Sequence, residues 1–166
     1  MKKILFLIMA AVGVFLTSCE KEKAGGTETQ KIAGEWSVTF NGINADGSID
    51  EDCFGIGYFN ILTYNTEKNV PSEMWVDDEG NSWDFKVIAD LDYNAGTFST
   101  KDFVDNYSYD SQVKITDGKV LYGAAKTPSG MPADSIVFNV YFDDDDPGSL
   151  GYQISGYRYT GLANDD

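Results

Sequence analysis

After Lys31 the apolar residues of this chain recur at every second position, in short runs separated by Gly, Asn and Asp, and no segment sustains a 3.6-residue period. Successive side chains of a strand point to opposite faces, so this pattern writes half-buried β-strands and leaves little room for helix. The runs cover residues 34–41, 54–64, 73–76, 83–91, 97–100, 112–115, 119–125, 135–142 and 151–160. Between them Asp77-Asp78-Glu79-Gly80-Asn81, Tyr93-Asn94-Ala95-Gly96 and Asp117-Gly118 read as turns, the last as a two-residue hairpin joining antiparallel neighbours.

The same alternation assigns faces. Trp83, Phe85, Val87 and Ala89 alternate with Asp84, Lys86, Ile88 and Asp90, which turns the first set inward. Val113 and Ile115 against Lys114, and Val120 and Tyr122 against Lys119, follow the same rule. In 135–142 one face carries Ile136, Phe138, Val140 and Phe142 and the other Val137 and Tyr141, so this strand is covered on both sides or exposes a patch. Gly55 and Gly57 inside an apolar run suit the bends of a strongly coiled sheet. Two all-β architectures satisfy the pattern: an antiparallel up-and-down β-barrel of about eight strands and a two-sheet β-sandwich. Short connections favour the barrel, while the longer links 42–53 and 65–72 suit either.

Composition narrows the chemistry. The 166 residues contain no histidine, which removes Ser-His-Asp, Cys-His and His-ligated zinc sites. A net charge of −15 repels phosphate backbones, so nucleic acid is not expected as a partner. There is no Gly-x-Ser-x-Gly elbow, no phosphate-binding Gly-x-x-x-x-Gly-Lys loop and no Cys-x-x-Cys, and among 27 acids no pair stands out; no catalytic residue is assigned. Asn44, Asp46, Ser48 and Asp50 copy part of an EF-hand loop, but its two end positions fall on Gly42 and Cys53, neither a carboxylate. Neither a metal site nor a cofactor is expected.

The first residues read as an address. Lys2 and Lys3 precede an apolar run from Ile4 to Leu16, and Leu16-Thr17-Ser18-Cys19 follows. As a helix that run spans roughly 20 Å, short of the ~30 Å hydrocarbon core. The tetrad resembles the lipobox of bacterial lipoproteins, which implies a signal peptide over 1–18, lipid attachment at Cys19 and a membrane contact through that anchor. Residues 19–30, rich in mixed charge and carrying Gly25-Gly26, read as a flexible tether to a single domain over 31–166. The expected location is the outer membrane, on a face left open. With Cys19 acylated, Cys53 has no partner for an intramolecular disulfide.

Gly34-Glu35-Trp36 opens the first strand, and Arg158, the only arginine, lies in the last. This Gly-x-Trp resembles the N-terminal signature of lipocalins, and the resemblance implies that Arg158 packs over Trp36, with Gly34 beside them, to close one end of a barrel. A guanidinium on an indole face contributes about 0.5–2 kcal/mol. Over the wider chain, Ala33-Gly34-Glu35-Trp36, Asp134-Ser135-Ile136-Val137-Phe138, the acidic turn 143–148 and Gly156-Tyr157-Arg158-Tyr159-Thr160-Gly161 look like the lipocalin-like lipoproteins named "lipid-binding putative hydrolase". That resemblance implies a calyx holding a small hydrophobic ligand, lipid or fatty-acid-like, without turnover. The inward set Trp83, Phe85, Tyr122, Phe138 and Val140 would line it, or would fill the barrel instead. Tyr157 and Tyr159, on the face opposite Arg158, supply the competing reading: an accessory lipoprotein that uses exposed aromatics to bind a glycan or an envelope protein. A hydrolase without identifiable catalytic residues is the lesser alternative.

Overall fold

The computed structural model describes residues 26–165. Ten strands follow one another: β1 (Gly34–Ile43), β2 (Ile49–Asp50), β3 (Phe59–Tyr64), β4 (Glu73–Asp77), β5 (Lys86–Asp92), β6 (Thr97–Ser99), β7 (Val104–Asp105), β8 (Gln112–Lys126), β9 (Pro132–Phe142) and β10 (Tyr152–Arg158). Eight of them form one closed antiparallel sheet in the order β1-β3-β4-β5-β6-β8-β9-β10, with β10 pairing back on β1. The protein is therefore an all-β, up-and-down barrel; β2 and β7 pair only with β1 and β8 at its margin. The closing seam runs in register from Trp36 opposite Arg158 to Gly42 opposite Tyr152. Closure removes both sheet edges, and the sheet needs no further strand to complete it.

The inward positions make one continuous apolar cluster. Trp36, Val38 and Phe40 of β1, Met74 and Val76 of β4, and Ile136, Phe138 and Val140 of β9 are all buried. Phe85, just ahead of β5, and Val87 and Ala89 within it join them, as the alternation requires.

Four local readings change. Asp117-Gly118 is not a hairpin but a bulge inside the continuous β8: Thr116 faces Asn139 and Lys119 faces Val137, three steps along β8 against two along β9. Asp117 takes the φ of 56° that such a bulge shares with a tight turn. Gly118 is required by close approach, because a Cβ there would run into the Phe98 carbonyl and ring. A second slip on β8, between Leu121 and Ala125 and centred on Gly123 at φ 64°, breaks the alternation, and Tyr122 within it is exposed. Residues 54–58 do not extend β3, since Asp52, Gly55 and Gly57 have φ of 48°, 66° and 77°, and the Asp52 carboxylate accepts the Gly57 N–H at 3.0 Å. Trp83 likewise lies before β5, because Asp84 has φ 58°.

The ends also differ from the reading above. The signal segment, Cys19 and the tether to residue 25 lie outside the described residues. Within the expected tether, however, 27–30 form a turn in which Thr29 is buried and its carbonyl accepts N–H bonds from Ile32 and Ala33. The C-terminal residues fold back across the outer wall: Asp165 accepts bonds from the Ser129 N–H at 2.9 Å and the Thr160 hydroxyl at 2.7 Å. Tyr157, read as outward and exposed, is on the outer wall but covered, donating its hydroxyl to the Asp165 carbonyl at 3.2 Å.

Candidate functional site at the barrel mouth

Because β1 leaves one end at Gly34 and reaches the other at Ile43, the barrel has two distinct ends. At the first, Arg158 Cζ lies 4.2 Å from the centroid of the Trp36 ring. Its three nitrogens are all engaged: Nη1 donates to the Ala33 carbonyl at 2.8 Å, Nη2 to the Lys31 carbonyl at 3.0 Å, and Nε to Asp134 at 3.1 Å. Trp36 Nε1 donates to Thr63 Oγ1 at 2.9 Å, and Thr63 donates onward to the Ile32 carbonyl at 2.7 Å. A Cβ on Gly34 would overlap Nη1 of Arg158, so glycine is what lets the guanidinium lie flat. The indole N–H and all three guanidinium nitrogens thus have partners, and the guanidinium covers the indole at this end.

The middle is solid. Phe85, Phe138 and Val140 have no accessible surface. A side chain lining a void large enough for water keeps some, so these three fill the barrel rather than line a chamber. Tyr122, the fourth expected lining residue, is 55% exposed, within the β8 slip and outside the packed core.

Trp83, the fifth, is at the open end in an aromatic cluster drawn from distant parts of the chain. Its ring stacks on Phe142 at 4.9 Å and lies 5.8 Å from Tyr152 and 6.2 Å from Phe54. Phe40 meets Tyr152 at 4.7 Å and Phe54 at 5.6 Å. Phe40, Phe54, Ile56, Ser82 and Trp83 line an apolar pocket of about 170 Å³ that opens to solvent. Phe54 is 52% exposed and Ile56 44%, an unusual display of apolar surface for a loop and the chief exposed element of this wall.

What holds Trp83 there is Asp78. Its buried carboxylate accepts the backbone N–H groups of Gly80, Ser82, Asp84 and Phe85, at 2.8–3.1 Å, and the Ser82 hydroxyl at 2.7 Å. One side chain thereby fixes the loop that presents the indole. On the opposite side Tyr109 donates to Asp144 at 2.7 Å and Tyr152 donates to Asp145 at 3.2 Å. Burial pushes both phenols above their ordinary range, and the bonds to the two carboxylates add to it. Burial also pushes the Cys53 thiol up, with the charges of Asp50 and Asp52 adding.

Against known proteins, the chain matches the family model described as "lipid-binding putative hydrolase" over residues 21–163. The chain belongs to this family. No curated protein matches it. Membership of the lipid-binding family and the closed barrel together fit a lipid-binding role, and the apolar pocket of this family member is at the mouth, not in the middle.

Of the mouth residues, only Trp83 is singled out by sequence as ligand-binding. Phe40 and Tyr152 were within reach, since Phe40 shares parity with Trp36 and Tyr152 with Arg158, so both face inward at the end opposite the arginine. Phe54 and Asp78 carried no such signal, because their roles depend on backbone turns that no periodicity records. Among the described residues no group of three or more acidic or cysteine side chains is arranged to hold a metal ion.

Proposed function

We propose that the protein is a lipid-anchored envelope protein that binds a small hydrophobic molecule at the mouth of its barrel without turning it over. The observation that carries this reading is the apolar pocket walled by Phe40, Phe54, Ile56 and Trp83 at the open end of an otherwise filled barrel. The volume of about 170 Å³ suits part of an acyl chain rather than a whole lipid, so the ligand rests against the exposed Phe54 and Ile56 as well as inside. Binding without turnover is supported by the absence of histidine and of a nucleophile motif. The anchor is supported by Leu16-Thr17-Ser18-Cys19 behind an apolar run, and the outer membrane is the proposed site of attachment.

The test is mass spectrometry of an organic extract of residues 20–166 purified from a bacterial envelope, followed by titration with acyl probes while Trp fluorescence is recorded. A stoichiometric apolar molecule, or saturable quenching that is lost in Trp83→Leu, supports the reading. A clean extract with no response to any probe overturns it.

A second reading has its own observation. On the outer wall Thr39, Asn41, Gln153 and Ser155 floor a groove of about 660 Å³, and Tyr58, 63% exposed, stands beside it. Amides and hydroxyls under an exposed ring suit a sugar, so glycan binding is the alternative function.

A further inference from the structure

Two carboxylates, Asp144 and Asp145, hold tyrosine hydroxyls at the mouth. One oxygen of Asp145 accepts the Tyr152 hydroxyl and the Asp146 backbone N–H, while its other oxygen is sealed from solvent with no donor. None of the ion pairs or ring contacts among the described residues brings a lysine or arginine to the aromatic cluster. Two lysines toward this end, Lys86 and Lys114, are turned to the outer wall, where they pair with Asp77 at 3.0 Å and Asp102 at 3.8 Å. Asp144 holds the Tyr109 hydroxyl.

An uncompensated carboxylate beside low-dielectric aromatic surface projects its field into that surface rather than losing it to water. Ring faces add to it, because the quadrupole of an indole or phenol attracts a cation and is indifferent or hostile to an anion. Trp83, Phe54 and Phe40 line the pocket with ring surface, Tyr152 packs against all three, and Asp145 accepts the Tyr152 hydroxyl. A fatty acid would have to bring its own carboxylate up to this rim.

Resting on the hydrophobic-ligand reading, we propose that the mouth selects an amphiphile with an ammonium head: the alkyl tail lies against Phe54, Ile56 and Trp83, and the head sits among the ring faces under the field of Asp145. Fatty-acid anions are excluded by the same charges.

The test compares three probes with the same hexyl tail, namely hexyltrimethylammonium, hexyl glucoside and hexanoate, binding to residues 20–166 by calorimetry and Trp fluorescence at low salt. The expected order is ammonium, then glucoside, then hexanoate, with the ammonium favoured over the glucoside by roughly fivefold or more at low salt. That advantage is lost in Asp145→Asn, which keeps an acceptor for Tyr152; should this variant fold poorly, the order of the three probes on the unaltered protein decides. Equal binding of the ammonium and the glucoside, or hexanoate binding as well as either, overturns the charge assignment and leaves the hydrophobic-ligand reading intact. Binding of none of the three overturns both.

Discussion

Arg158 and Trp36 face each other directly across the seam that closes the barrel, with the guanidinium carbon 4.2 Å from the ring centroid. The arginine does three things there at once: it covers the indole, ties the chain ahead of β1 through the Lys31 and Ala33 carbonyls, and pairs with Asp134. Arg158→Ala is expected to cost about 2–4 kcal/mol, from the lost cation–π contact and charge-assisted hydrogen bonds. Arg158→Lys recovers less than half, since an ammonium cannot reproduce the planar fork. Urea unfolding measures both; an Arg158→Ala midpoint equal to that of the unaltered protein would show the contact to be idle.

Gly34 tests the same corner from the other side. Its added methyl would collide with Arg158 Nη1, and its φ lies outside the left-handed region, so the cost of Gly34→Ala is displacement of the guanidinium and little else. Alone it should destabilise by about 1–3 kcal/mol. In the Arg158→Ala background the collision is gone, and the same change should cost less than about 0.5 kcal/mol. Additive costs in a double-mutant cycle would separate Gly34 from the arginine.

This corner was legible because it is written in residue identity: a Gly-x-Trp at one end of the domain and a lone arginine at the other. The closed sheet was legible because parity holds along most strands. Parity fails where the backbone takes φ above zero, and nothing local separates those cases. Asp117-Gly118 has the chemistry of a hairpin turn and becomes a bulge only because β9 runs past it unbroken and Phe98 presses on Gly118. Tyr122 falls in the slip at Gly123 and is exposed, two positions after Val120 obeys the rule. The mouth was least legible, since Phe40, Phe54, Trp83, Phe142 and Tyr152 meet only when the barrel closes.

Asp78 should control the mouth without touching a ligand. In Asp78→Ala four backbone N–H groups lose their acceptor, at an expected cost of about 2–4 kcal/mol even after water reaches some of them. Asp78→Asn keeps one acceptor oxygen and should fall between. Because the loop carries Trp83, the loss should appear as a red shift in its emission at denaturant concentrations where the barrel is still folded. Coincident loss of the Trp83 signal and of the sheet would mean that the loop has no stability of its own to lose.

The C-terminal strap responds to acid. Hydrogen bonds from Ser129 and Thr160 hold the Asp165 carboxyl down at about 2, below its ordinary 3.8. A carboxyl with a lower pKa folded than unfolded stabilises the fold fully above the ordinary value and ceases to do so as pH falls through the folded value. The strap should therefore hold at neutral pH, weaken from about pH 4 downward and release near about pH 2. Release uncovers Tyr157, whose hydroxyl is bonded to the Asp165 carbonyl and whose ring is now only 6% exposed. Following the Ser129 amide and the Tyr157 ring by NMR across that range should give one shared midpoint, absent in Asp165→Asn. A Ser129 amide that does not move before the barrel unfolds would show that Asp165 is not what ties the tail to the wall.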